Sequence, residues 1–135
     1  MRKICRYYLL TVPVKAPPDM QGDWLKYNGV WTANGQRYPN GTKELRDYCH
    51  AKGMKFGMWM KPERIGEFYD IFEEHPEWIT VKANGETGCL IDFTVPEAAA
   101  WVENEIERVI TENGLDLFRV DYNIKSDELF AISKG

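Results

Sequence analysis

The sequence lacks long apolar runs and has no concentrated positive charge. No apolar run in its 135 residues approaches the roughly 20 residues that a helix needs to cross a bilayer, so no membrane association is expected. Arg6 interrupts the apolar residues near the N-terminus, and no signal peptide is predicted. The formal net charge is −4 and no basic stripe is visible, which argues against a nucleic-acid partner because phosphate binding requires positive charge.

Cysteine and histidine are also scarce. Cys5, Cys49 and Cys89 are odd in number and lack metal-ligand spacing, which is typical of thiols in a reducing compartment and predicts a cytoplasmic protein. Neither His50 nor His75 has a serine or cysteine partner at a recognisable spacing, so no hydrolytic triad is predicted. No phosphate loop, EF-hand or zinc motif is present, and we expect neither a cofactor nor a metal.

What remains is the composition of one globular domain, with 44% hydrophobic residues, 28% charged residues and five tryptophans. Residues 11–42 are rich in proline, glycine and asparagine and are predicted to be loop with short extended pieces. After them, helical and strand patterns alternate. Helices are predicted at 42–53, 63–74 and 94–114, and strands at 54–60, 88–93 and 115–121, with a further strand in KICRYYLL. This alternation predicts a parallel sheet with helices packed outside it.

The ends of the predicted helices carry recognisable signals. Thr42 and Thr94 are candidate N-caps, and Gly53 and Gly114 follow the last turns of their helices. Pro76 is expected to end the middle helix. Because the predicted strands lie between these helices, the helix ends also indicate where the strands begin and end.

Polar and aromatic residues follow the predicted strands, where parallel α/β proteins bind ligands. Trp59 comes before Lys61 and Glu63, a second strand ends on Asp92, and the third contains Arg119, Asp121 and Asn123. Alternation places Arg119, Asp121 and Asn123 on one side of their strand, and a nearby cation would favour an ionised Asp121. An ionised carboxylate on a rigid strand end suits a nucleophile or a metal ligand. The structural alternatives are a capping or loop role for Asp121, a chain reversal at Asp92 and a core position for Trp59.

Several motifs, in order, resemble those of glycoside hydrolase family 36, the α-galactosidases and their relatives. They are GMKFGMWMKPERI, EEHPEWIT, CLIDFTVPEAAAWVENEI and GLDLFRVDYNI, preceded by GDW and RYPNGTKELRDYCHAKG. The similarity extends over roughly residues 20–125. The resemblance implies an α/β fold, a partial (β/α)8 TIM barrel comprising about the first half of the barrel, strands 2–4, with outer helices. It also implies an atypical segment at 1–19 and a partial catalytic domain at 20–135.

The family resemblance implies retaining hydrolysis of terminal α-galactosides, without a cofactor. Asp121 corresponds to the family's nucleophile, and Arg119, two residues earlier, to a sugar-binding residue. Trp59 and Trp24 are implied as pocket walls because apolar sugar faces stack on aromatic rings. Asn123 is implied to point toward the same pocket or to hold the nucleophile in place. The partner is then an α-linked galactoside or oligosaccharide.

Three departures from the family pattern change what is expected of this chain. Lys61 stands where the family has glutamate, residues 1–19 contain no D-x-G-W segment, and the family's acid/base aspartate would follow beyond Gly135. Asp127 is too close in sequence to Asp121 to lie on another strand. A retaining glycosidase needs two carboxyl groups, so we expect a truncated barrel that lacks its acid/base.

Two other function classes stay open. One is a non-catalytic carbohydrate-binding half-barrel or an inactive remnant, and the other is a small α/β domain of unrelated chemistry. The exposed edges of a half-barrel would favour self-association of the chain.

Overall fold

The computed structural model describes residues 7–11, 29, 31–35, 37–67 and 69–121, with the backbone alone described for 7–11. Within these ranges, no helix is both long and apolar enough to cross a membrane. The elements are, in chain order, β1 (Tyr7–Thr11), α1 (Lys43–Ala51), β2 (Lys55–Met60), α2 (Asp70–Glu74), a 3-10 turn (Pro76–Trp78), β3 (Ile79–Val81), β4 (Thr87–Ile91), α3 (Pro96–Asn113) and β5 (Leu117–Val120).

The central element is a parallel sheet in the order β1, β2, β5. β2 lies in the middle, with Tyr7 opposite Lys55 on one side and Gly57 opposite Leu117 on the other. The strand expected in KICRYYLL is therefore present as β1. Parallel neighbours require long crossover connections, and α1 and α3 each stand in one of them. The predicted parallel α/β architecture is confirmed.

The two faces of β2 differ, as the alternating pattern predicts. Phe56, Met58 and Met60 are almost fully buried, with exposures of 0, 0 and 1%. They form the first hydrophobic core with residues of both main helices and the preceding loop, namely Trp31, Cys49 and Val109, flanked by Leu45, Met54, Ile106, Leu115 and Phe118. Trp59, which points to the opposite face, is half-buried. Helices α1 and α3 thus pack on one face of the sheet, and we call the opposite face, on which none of the described helices packs, the open face.

One predicted strand does not join this sheet. The segment predicted at 88–93 forms β4, which pairs antiparallel with β3 in a separate two-stranded sheet. The expectation that this segment is a strand of the parallel sheet is wrong. Only a short turn around Gly85 separates it from β3, and so short a connection permits an antiparallel hairpin but no parallel crossover.

The predicted helix over 63–74 is also shorter than expected. Only Asp70–Glu74 is α-helical, and Pro76 begins a 3-10 turn after it. The backbone around Arg64 pairs with β4 instead, since the Ile65 N–H donates to the Cys89 carbonyl and the Ile91 N–H donates to the Glu63 carbonyl, at 2.9 and 2.8 Å. The hairpin is thereby joined to the segment that leaves β2.

A second hydrophobic core lies between this hairpin and the first half of α3. Its buried members are Ile65, Ile79, Ile91, Ala98 and Val102. Tyr69, Trp78 and Trp101 pack around it, with ring centroids of the two tryptophans 6.4 Å apart. Ile106 contacts both cores, so α3 connects the hairpin to the parallel sheet.

The two threonines do not cap helices through their side chains. Thr42 occupies the N-cap position of α1, but its hydroxyl donates to the Asn113 side chain at the end of α3. The N-cap of α3 is Val95, while the Thr94 hydroxyl donates to Asp92. In contrast, Gly114 ends α3 as predicted, in the left-handed conformation with φ of 59°.

The start of β5 is fastened to α1 and β2 by Asp116. Its Oδ2 atom accepts from the Phe56 N–H at 2.8 Å and lies 2.6 Å from His50 Nε2. The Asp116 N–H in turn donates to the Phe56 carbonyl at 2.9 Å. The Phe56 hydrogen bond, and then the one from His50, lower the pKa of the Asp116 carboxyl below its ordinary value.

This shift predicts a pH dependence of stability. Between the lowered folded pKa and the ordinary value near 4, the unfolded chain binds more protons, so stability rises with pH. The contribution of Asp116 is complete above the ordinary value and is lost as the pH falls through the folded pKa. We therefore expect the urea midpoint of the unmodified chain to fall more between about pH 5 and pH 3 than that of Asp116→Asn.

Glu103→Gln provides the control, because Glu103 is exposed on α3. This variant should keep the full decline at low pH. Equal declines in Asp116→Asn and the unmodified chain would contradict the role assigned to Asp116.

Candidate active site

Four polar or aromatic residues meet where β2 and β5 end. The register places Trp59 opposite Arg119 and Met60 opposite Val120. One step further along, the Asp121 N–H donates to the Met60 carbonyl at 2.9 Å, which continues the ladder past the end of β5. Alternation therefore gives Trp59, Lys61, Arg119 and Asp121 the same face of the sheet, the one opposite the helices. We call these four residues the strand-end cluster.

Asp121 is held closely by its surroundings but remains accessible. Its side chain is 24% exposed, and Lys61 Nζ lies 3.9 Å from its Oδ2 atom. The Lys61 side chain is only 7% exposed. A partly exposed carboxylate at a strand end, with an ammonium 3.9 Å away, can chemically act as a nucleophile.

The cation beside Asp121 differs from the one that the sequence suggested. Within the described ranges Arg119 makes no ion pair with Asp121, and its side chain is exposed. Adjacent positions on one face of a strand are about 7 Å apart along the chain, whereas the neighbouring strand is closer. Lys61, on the adjacent strand, therefore takes the place next to Asp121. The signal for this was the matching spacing: Lys61 follows Trp59 by two residues, as Asp121 follows Arg119.

The other candidate residues named from the sequence are Trp24, Asn123 and Asp92. Trp24 and Asn123 lie outside the described residues, as does Asp127. Asp92 follows β4 and is 4% exposed. Its Oδ1 atom accepts from the Thr94 N–H and hydroxyl at 2.9 and 2.6 Å, the arrangement of a chain reversal into α3. The structural interpretation of Asp92 is confirmed.

The described residues contain no group of three histidine, cysteine or acidic side chains that could hold a metal ion. His50 pairs with Asp116 at the amino-terminal end of β5, and His75 pairs with Glu77 and stacks on Trp78. The chemistry available at the strand-end cluster therefore comes from its carboxylate, its two cations and its indole.

The order of the motifs matches a known family. The family model named Melibiase aligns with residues 22–133, which is most of the chain. The chain belongs to the Melibiase family. The matched region includes the strand-end cluster and both hydrophobic cores.

Known relatives of this Melibiase-family chain are α-galactosidases. The α-galactosidase of Escherichia coli is 29% identical over 100 residues, which is 70% of this chain and 14% of that enzyme. The structure of the α-galactosidase from Lactobacillus brevis has a TM-score of 0.77 at 22% identity, and the match covers 96% of this chain and 17% of that one. A variant of the α-galactosidase AgaA from Geobacillus stearothermophilus, solved in complex with raffinose, has a TM-score of 0.74 at 18% identity over the same shares.

These likenesses confirm that the sheet and its helices are part of a (β/α)8 barrel fold. The chain spans less than a fifth of the length of these relatives. β1, β2 and β5 are three adjacent strands of the barrel, and the β3–β4 hairpin lies outside the barrel sheet.

The turn at Asp92 gives a prediction that separates structure from chemistry. Asp92→Ala removes the acceptor of two hydrogen bonds and should lower the free energy of unfolding by about 1 kcal/mol. Asp92→Asn retains an acceptor oxygen in the same place and should stay close to the unmodified chain in urea denaturation. Equal losses in the two variants would show that the charge of Asp92, rather than its geometry, is needed.

Proposed function

We propose that this chain is part of the catalytic domain of a retaining glycoside hydrolase that acts on terminal α-galactosides, with Asp121 as the nucleophile. The observation that carries the proposal is the position of Asp121, whose carboxylate is partly exposed at the carboxyl end of a barrel strand beside Lys61. Active sites of barrels lie at this end of the strands. Membership of the Melibiase family supports the substrate class.

In the first step, an oxygen of the Asp121 carboxylate forms a bond to the anomeric carbon of the sugar. The bond from that carbon to the leaving group breaks, and the leaving oxygen takes the electron pair. Residues 20–135 are proposed as part of the barrel domain that performs this step, after the N-terminal segment 1–19. The second carboxyl group, which protonates the leaving oxygen and later activates water, is not assigned to any residue of this chain.

Arg119 and Trp59 are proposed to bind the sugar. The exposed guanidinium of Arg119 lies one register step before Asp121, where it can donate to hydroxyl groups. Trp59, opposite it on β2, presents an indole to the same open face and suits the apolar side of a pyranose ring. Trp24 and Asn123 are proposed as further pocket residues on the basis of the family resemblance.

A second candidate function is carbohydrate binding without cleavage. It is favoured by the adjacency of Trp59 and Arg119, which form a sugar-binding pair whether or not Asp121 reacts. Self-association is proposed to accompany either function, because β5 is an edge strand in this structure and its Leu117 and Val120 side chains are 38 and 51% exposed.

Covalent labelling tests the nucleophile. The chain is incubated with a dinitrophenyl α-galactoside, whose leaving group departs with little protonation, and its intact mass is measured. We expect one added hexosyl unit on the peptide that contains Asp121, because formation of the intermediate requires only the nucleophile. Asp121→Asn should form no adduct.

Asp70→Asn is the matched control, since Asp70 is an exposed carboxylate on α2, outside the strand-end cluster. It should be labelled like the unmodified chain. A folded chain that forms no adduct but binds galactose would favour the binding function. A folded chain that does neither would overturn both proposals.

A further inference from the structure

We propose that Lys61 is a positioning residue, whose ammonium group holds the Asp121 carboxylate in the orientation from which it attacks the sugar. The inference rests on the proposed nucleophilic role of Asp121. It adds a specific function for a residue that does not itself contact the reacting carbon.

The burial of Lys61 is the first observation. A lysine side chain that is 7% exposed carries a charge that water cannot solvate freely, and such a charge is retained only beside a compensating group. The Oδ2 atom of Asp121, at 3.9 Å, provides negative charge on the adjacent strand. Asp121 is the more exposed of the two side chains, at 24% against 7% for Lys61.

The second observation is that the lysine is fixed at its backbone. It directly follows β2, and its carbonyl accepts from the Arg64 N–H at 3.2 Å in the turn that contains buried Pro62. The Asp121 N–H is bound to the carbonyl of Met60, the residue before Lys61. Both members of the pair are therefore anchored to the same short stretch of backbone, which limits how far their side chains can separate.

The distance between the charged groups suits a nucleophile. A separation of 3.9 Å allows attraction between the charges but exceeds the range of a hydrogen bond. Lys61 therefore acts on Oδ2 through charge attraction rather than through a hydrogen bond.

The two cations of the strand-end cluster consequently have different tasks. Arg119 is exposed on the open face, where it is proposed to meet substrate hydroxyls. Lys61 is enclosed and meets the carboxylate. Removal of Arg119 should weaken binding, whereas removal of Lys61 should slow the attack.

The test is a first-turnover measurement with the dinitrophenyl α-galactoside, which follows release of the phenolate at a series of donor concentrations. Lys61→Met keeps a side chain of similar length and removes the charge. We expect the limiting rate to fall about tenfold to a hundredfold, as small misplacements of a reacting group do. The donor concentration at half-saturation should be unchanged. Lys61→Arg restores a cation and should recover most of the rate.

Two further variants complete the design. Lys55→Met removes an exposed lysine from the other end of the same strand and should leave the rate unchanged. Lys61→Gln is measured in parallel, so that loss of the fold in one variant, detected by urea denaturation, leaves the comparison intact.

The outcomes are distinguishable. Labelling of the unmodified chain with an undiminished limiting rate in folded Lys61→Met and Lys61→Gln would overturn the inference and leave Asp121 as the nucleophile. A lowered rate that Lys61→Arg fails to recover would also overturn it, because the lysine would then act through its packing. Absence of labelling in the folded, unmodified chain would overturn the proposed function, and the positioning role with it.

Discussion

The hydrogen-bonded register between β2 and β5 is the constraint on which the rest of this structure depends. The ladder runs from the Asp116 N–H on the Phe56 carbonyl to the Asp121 N–H on the Met60 carbonyl. Side chains on a strand alternate between the two faces of the sheet. A slip of one residue between β2 and β5 would therefore move every side chain of the slipped strand to the opposite face. The burial of Phe56 and Met58 on the helix face opposes that slip, and the same burial fixes which side chains reach the open face.

The hairpin holds the segment that follows β2 from outside the parallel sheet. The chain that leaves β2 turns at Pro62 and then pairs with β4, through the hydrogen bonds of Ile65 and Ile91. The second core packs beneath this segment. An element that adds no strand to this parallel sheet thereby holds the backbone that directly follows Lys61.

The sequence predicted some elements well and others poorly, for physical reasons. Strand β2 and helix α3 each bury one face against a large core. Apolar residues therefore recur in the sequence at every second position in β2 and at every third or fourth position in α3. The run GCLIDF gives no such indication, because a short apolar segment does not specify which partner it pairs with. Its assignment to the hairpin depends on the turn around Gly85.

The candidate site was likewise predicted in part. The positions of Trp59, Arg119 and Asp121 at strand ends were predicted from alternation, which is a local property. The approach of Lys61 to Asp121 was not predicted, because it joins residues on two strands through a register that no local pattern specifies.

The position of Ile106 affects how the chain unfolds. It is the residue of α3 that contacts both hydrophobic cores, and the helix that carries it runs without a break from Pro96 to Asn113. Arg108, two residues further along the helix, donates to the Trp31 carbonyl and binds Glu105 and Glu112, which ties the loop before α1 to the same helix. Loss of either core would expose the other through α3. Helix α3 is therefore the element through which the packing of the hairpin and the packing of the sheet depend on each other.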